Sequence, residues 1–214
     1  CATISASARA KPRRRNSMAE ERNEDLLVER GDDGVILVTL NRPRAKNAVS
    51  FAMWEAFADL LTEIEASTPP RALVICGAEG WFSNGGDMKN PPARGEGAMN
   101  LAARLELGQR AIRRLSALPV PTIAAVEGGA WGVAWGIALA CDVLIAGASA
   151  SFGAPFVRYG LVPDGGVSWY LTRAAGRRIA SEIVYSGRAV PVEEAARLGL
   201  VSRIVPDGTV VAEA

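Results

Sequence analysis

The chain has 214 residues, enough for one domain with a substantial core. Hydrophobic residues make up 49% and charged residues 22%, and the net charge is +1, so bulk electrostatics gives no case for nucleic acid or a membrane surface. The histidine count is zero, which excludes Ser-His-Asp and Cys-His catalysis and every His-ligated metal site, and leaves proton transfer to a carboxylate, Lys, Tyr or Cys.

Residues 1–17 are rich in Ala, Ser and Arg and carry no acid. They read as a disordered tail, as sequence upstream of a start at Met18, or as a transit peptide, although Pro12 and the Arg cluster spoil an amphipathic helix. The expected division is a basic, disordered extension over 1–25 and a single domain over 26–214. Strands are expected over Leu26–Arg30 and Val35–Asn41, joined by Gly31-Asp32-Asp33-Gly34. Ser50 is placed to cap a helix with Met53, Phe57, Leu60, Leu61 and Ile64 on one face, and Pro69-Pro70 ends it. Ala72–Cys76 reads as a buried strand, residues 90–98 as a mobile loop, and Leu101–Leu118 as a helix. Thr122–Val126 is a strand, Gly132–Cys141 a helix and Val143–Ala146 a strand. Helical patterns at Val167–Ala175, Arg177–Tyr185 and Val192–Leu198 precede a last strand, Leu200–Val205. Repeated strand–turn–helix units imply crossovers and an α/β fold. Cys76 and Cys141 sit in apolar patterns and read as core residues. With Cys1 they form no disulfide or metal framework, which favours a reducing compartment: the cytoplasm, or the mitochondrion if residues 1–17 are a transit peptide.

Two glycine-rich turns stand out, Phe82-Ser83-Asn84-Gly85-Gly86-Asp87 and Gly128-Gly129-Ala130-Trp131-Gly132-Val133-Ala134-Trp135-Gly136. Each follows a strand pattern and leads toward a helical one. Glycine there lets backbone N–H groups approach a ligand, and two such turns side by side can aim two donors at one oxygen, as an oxyanion requires. Neither turn has the G-x-G-x-x-G spacing of a dinucleotide site, and no Walker A motif is present.

An ordered set of segments resembles the enoyl-CoA hydratase/isomerase (crotonase) superfamily. It comprises Leu40-Asn41-Arg42-Pro43 with Asn47-Ala48, both glycine-rich turns, Pro121–Val126, and Ala140-Cys141-Asp142. Phe152-Gly153-Ala154-Pro155, Gly160–Gly166 and Ala195–Val201 complete it. The resemblance implies a spiral of ββα units assembled as trimers or hexamers. It also implies acyl-CoA substrates, with coenzyme A as part of the thioester and no permanently bound cofactor. The oxyanion donors it implies are the N–H groups of Gly86 and Val133, where many members carry three glycines in place of Gly132-Val133-Ala134. Val133 then needs a negative φ, and its branched side chain narrows the pocket. Relatives normally continue into C-terminal helices, so that segment is expected to be truncated here.

Hydratases of this family carry two glutamates, and the matching positions hold Gly136 and Phe156. Asp164 lies where several family isomerases place their acid. Double-bond migration needs one carboxylate to carry a proton between two carbons, and an apolar pocket made by Phe156, Trp135 and Trp169 would raise its pKa for that task. Asp164 also reads as a helix N-cap. Asp87 and Asp142 read as turn braces, Glu127 as a spare acid, and Trp131, Trp135 and Trp169 as pocket wall or core. The implied CoA and substrate contacts are Arg44, Lys46, Ala48, Gly85, Asp87, Lys89, Gly132, Trp135 and Phe156. The leading expectation is enoyl-CoA isomerisation in fatty-acid or related acyl-CoA metabolism. The alternatives are a hydratase or other lyase or hydrolase with an atypical base, and a non-catalytic CoA-ester-binding or assembly protein.

Overall fold

In a computed structural model the described residues are 24–89 and 101–214, without the side chains of 101–104. Residues 1–23 of the expected N-terminal extension, Cys1 among them, and the loop expected over 90–98 lie outside the described residues, whereas Glu24 and Asp25, expected to belong to that extension, are described and accept hydrogen bonds from Asn41. A six-stranded sheet is built from β1 (Leu26–Arg30), β2 (Val35–Leu40), β3 (Ala72–Gly77), β4 (Thr122–Val126), β6 (Val143–Gly147) and β9 (Arg203–Val205), in the order β1-β2-β3-β4-β6-β9. β1 pairs antiparallel with β2, and every later neighbour pairs in parallel. The central strands read as near-continuous Val, Ile, Leu and Ala because both faces of a parallel sheet are covered.

A second, three-stranded sheet contains β5 (Gly129–Trp131), β7 (Ser151–Gly153) and β8 (Ala189–Pro191). It grows further through two isolated parallel bridges, Ser83 with Ala130 and Val49 with Gly86. The second glycine-rich turn is therefore partly strand. Each of its strands has three residues, too few to show a period of two.

Helix α1 (Phe51–Ala66) is capped as expected: the Ser50 hydroxyl accepts the Met53 N–H at 3.1 Å, an interaction worth about 1 kcal/mol. Met53, Phe57, Leu60, Leu61 and Ile64 form its buried face. Helix α2 (Leu101–Leu115) packs beside α1, and α3 (Val133–Ala140) is buried on nearly every side. The two helical patterns after residue 166 form one element, α4 (Val167–Ser186), broken at Gly176 where φ is 77° and ψ is 157°. Short helices α5 (Val192–Arg197) and α6 (Val210–Glu213) close the described chain. The last strand is shorter than Leu200–Val205: Leu200 and Val201 pack in the core outside any ladder, and pairing with β6 begins at Arg203. Among the described residues no helix is long and apolar enough to cross a membrane.

Candidate active site

Asn47 organises the approach to the first turn. Its fully buried side-chain oxygen accepts the Arg42 N–H at 2.9 Å, and its amide donates to the carbonyls of Ala78 and Trp81. Arg42 reaches on to Asp87, with Nη1 2.9 Å from Oδ2, and Asp87 accepts the Lys89 N–H. Asp87 is thus a turn brace, as its place in the sequence suggests. Val49 N–H donates to the Gly85 carbonyl at 2.7 Å and Asp87 N–H to the Val49 carbonyl at 3.0 Å. In a parallel ladder that pattern spends the groups flanking Gly86 and leaves its own N–H facing away from Val49.

The second turn lies alongside. Ser83 N–H donates to the Gly129 carbonyl, and Trp131 N–H donates to the Ser83 carbonyl at 3.0 Å. Gly132 caps α3 with φ 56° and ψ −129°, a conformation that needs glycine. The positive φ thus falls on Gly132 and not on Val133. Val133 is the first helical residue, so its N–H has no intrahelical partner and sits at the positive end of α3. A Cβ placed on Gly85 would lie 3.5 Å from the Val133 nitrogen and 2.6 Å from the Trp131 carbonyl, which shows how closely the turns meet. Among the described residues, neither the Gly86 nor the Val133 N–H donates a hydrogen bond.

Gly86, Val133 and Asp164 line one cavity of about 320 Å³. Its apolar wall comes from Val49, Phe51 and Trp54 of the α1 region, Leu105 of α2, and Met88 and Leu161; Gln109 adds a neutral polar group. Asp164 Oδ1 is buried without a hydrogen-bond partner. Burial holds the Asp164 carboxyl above the usual carboxylate range, a shift that its own backbone N–H partly offsets. The residue does not cap α4: Gly166 occupies that position, no side chain caps it, and only the Asp164 carbonyl accepts, from Val167 N–H at 3.0 Å.

Gly136 is sterically closed. A Cβ there would lie 2.1 Å from the Gly165 carbonyl oxygen and 3.2 Å from Val167 Cγ2. The turn carrying Asp164 packs directly on the helix face where hydratases are expected to carry a glutamate. A Cβ on Gly165 would in turn meet Val133 Cγ2 at 2.5 Å, so the valine side chain fills the space beside that turn.

Several expected contacts are corrected. Trp135 is fully buried and stacks on Phe152 with ring centroids 5.6 Å apart, so it belongs to the core and not to the cavity wall. Trp169 is 61% exposed beside Arg173, so it cannot make the surroundings of Asp164 apolar. Phe156 is buried behind the second turn, near where a Gly132 Cβ would point, and does not line the cavity. Glu127 accepts the Gly208 N–H at 2.9 Å, away from the cavity. Asp142 accepts the Thr122 N–H and hydroxyl at the start of β4, a brace as expected. Cys76 is buried, while Cys141 is half-buried, with its thiol pushed up to about 12 chiefly by burial. Lys46 is exposed with its ammonium 4.5 Å from the Trp81 ring centre, Arg44 and Lys89 are exposed, and Ala48 is half-buried. The wall residues Phe51, Trp54, Leu105 and Leu161 were missed. On α1 the buried stripe is legible, but nothing in that periodicity marks Trp54, on its flank, as facing a cavity.

Residues 30–214 match the family model described as enoyl-CoA hydratase/isomerase. The chain is 38% identical over 192 residues to the "Probable enoyl-CoA hydratase echA8" of Mycobacterium tuberculosis (strain CDC 1551 / Oshkosh), covering 89% of this chain and 72% of that protein. It is 34% identical over 187 residues to the 1,2-epoxyphenylacetyl-CoA isomerase of Escherichia coli (strain K12), covering 86% of this chain and 71% of that one. Among solved structures, the enoyl-CoA hydratase of Bacillus anthracis superposes with a TM-score of 0.82 at 30% identity, covering 88% of this chain and 73% of the other.

Proposed function

Because the chain belongs to the enoyl-CoA hydratase/isomerase family, we propose that it moves the double bond of an enoyl-CoA thioester, using the Gly86 and Val133 N–H groups as an oxyanion hole and Asp164 as proton carrier. The observation that carries this reading is the Asp164 carboxylate: it lines the cavity with one oxygen buried and unpartnered, while Asp87, the other cavity carboxylate, is held by Arg42. In a 3-enoyl thioester Asp164 takes the α-proton. The electron pair spreads into a dienolate whose charge rests on the thioester oxygen between the two N–H donors. The protonated Asp164 then gives the proton to the γ-carbon, leaving the double bond conjugated with the thioester. Each donor of this kind is worth about 3–4 kcal/mol in the transition state. The raised pKa of Asp164 brings it closer to neutrality, where it can both take and return a proton. Lys46 and Lys89 are available as exposed cations for the CoA phosphates, with Lys89 directly following the cavity residues Asp87 and Met88.

Hydration is the second reading, favoured by relatives named as hydratases, such as the 2,3-dehydroadipyl-CoA hydratase of Escherichia coli (strain K12), 36% identical over 186 residues. Steric closure at Gly136 and the apolar Phe156 weigh against it, because water addition calls for a group to activate water as well as one to protonate the α-carbon. The test is to follow conjugated-thioester absorbance with 3-enoyl-CoA and 2-enoyl-CoA esters. Isomerisation is expected to raise it from the first substrate and to fall about 10²–10⁴-fold in Asp164→Asn. Enzymatic loss of absorbance from 2-enoyl-CoA would favour hydration. Acyl-CoA binding without turnover would favour a binding protein that has lost catalysis.

A further inference from the structure

Beside the cavity, on the side of Val49 and Trp54, lies a second void. This void is small, about 10 Å³, and every residue lining it is apolar, including Met53, Phe57, Ile75 and Ile137. Two residues line both spaces: Val49 and Trp54. They form the partition between the cavity and the interior of the core. The indole is held in place from the other side by α2, where Gly108 lets the helix come close; a Cβ there would lie 3.2 Å from Trp54 Cε2. At about 10 Å³ the void barely reaches the size that admits one water, and apart from the Trp54 indole its lining side chains carry no N–H or O–H group, far short of the two to four polar partners a water needs. Enlarged, such an apolar space would favour hydrocarbon over water.

We propose that Trp54 is the residue that limits the length of the acyl chain, acting as a stop against which a hydrocarbon tail ends. This inference rests on the acyl-CoA reading of the cavity. The tail runs from the thioester near Gly86 and Val133 along Phe51 and Leu105 to the indole, and cannot continue into the core while the indole stands there. Each methylene that gains apolar contact adds about fourfold to affinity, so affinity climbs with chain length until the tail meets Trp54. Beyond that length it levels off or falls. Removing the indole joins the two spaces and moves the limit to longer chains.

The experiment measures dissociation constants by calorimetry for saturated acyl-CoA thioesters of increasing even chain length, which bind without reacting. The wild type, Trp54→Ala and Trp54→Leu are compared, with thermal unfolding as the folding control. The leucine variant keeps an apolar side chain at the partition should the alanine variant fold poorly. A break in the wild-type series is expected, with the affinity of the variants continuing to rise past it by about fourfold per methylene. Wild-type binding with a break at the same length in folded variants overturns the role of Trp54 and leaves the acyl-CoA reading standing. A wild type that binds no acyl-CoA of any length overturns both.

Discussion

Consider Gly136→Ala, the smallest change at the position where a hydratase glutamate is expected. The new Cβ would stand 2.1 Å from the Gly165 carbonyl oxygen and 3.0 Å from the carbonyl carbon, both backbone atoms that no rotamer change can move. Forcing an extra carbon into a closely packed interior costs about 1–3 kcal/mol, and the backbone neighbour puts this site at the upper end. Alanine recovers about 1 kcal/mol of helix propensity in α3. The balance is a destabilisation of about 2 kcal/mol, or a fall in Tm of about 4–8 °C for a chain of this size. Relief of the clash must push the 164–166 turn outward and carry the Asp164 carboxylate with it. A displacement of about 1 Å at a proton-transferring group costs on the order of 100-fold in kcat. Calorimetric unfolding and the isomerisation assay read the two effects separately. A Gly136→Ala protein as stable as the wild type and fully active would refute the reasoning, and with it the claim that the Asp164 turn and a side chain at 136 exclude each other.

Four further outcomes are expected. For Asp164 the folded-state pKa lies above its unfolded value, so its ionisation opposes folding: the penalty is absent below the unfolded pKa, grows as pH rises through the window between the two, and is complete above the folded value. Asp164→Asn should therefore match the wild type in stability in acid and exceed it near neutrality. Wild-type kcat/KM should rise with pH through the elevated pKa, as a base must be ionised, and a pH-independent profile would remove Asp164 from that role. Gly132→Ala forces a residue with a Cβ into φ 56°, ψ −129°, at a cost of about 1–3 kcal/mol, and tilts the Val133 N–H, so kcat should drop about 10²–10³-fold, measured by steady-state kinetics. Thr122→Val, far from the cavity, removes the hydroxyl that donates to the Asp142 carboxylate and accepts its N–H; about 1.5–3 kcal/mol should be lost in denaturant unfolding with KM unchanged.

Where side-chain periodicity and local hydrogen bonding decide a structure, the chain was readable. Ser50 before an apolar stripe gave α1 and its cap, and the Val- and Ile-rich runs gave the parallel strands. Gly176 separated two helical patterns correctly as a break, though not as one bent element. The glycine-rich turns were legible as places of close approach, and the bridges between Ser83 and Ala130 and between Val49 and Gly86 join them. Aromatic direction was not legible. Trp135, Trp169 and Trp54 are equally large and apolar in the sequence, yet one is core, one is solvent-facing and one is wall, because each takes its direction from how its helix is rotated against neighbours remote in the chain. The same holds for Phe156, whose place behind Gly132 depends on packing between segments that meet only in the folded chain.

The bridges that extend the small sheet hold the Gly86 segment between Val49 on one side and, through Ser83, Ala130 on the other, while Val133 stands at the start of α3 just beyond β5. The direction of the Gly86 N–H is thus set by strand register, and that of the Val133 N–H by the Gly132 backbone at the start of the helix. Both are backbone features, so side-chain substitutions elsewhere around the cavity leave the placement of the two N–H groups unchanged. A lesion at one of the bridges, in contrast, would shift the Gly86 segment against Val49 or Ala130 and so change where its N–H points relative to that of Val133.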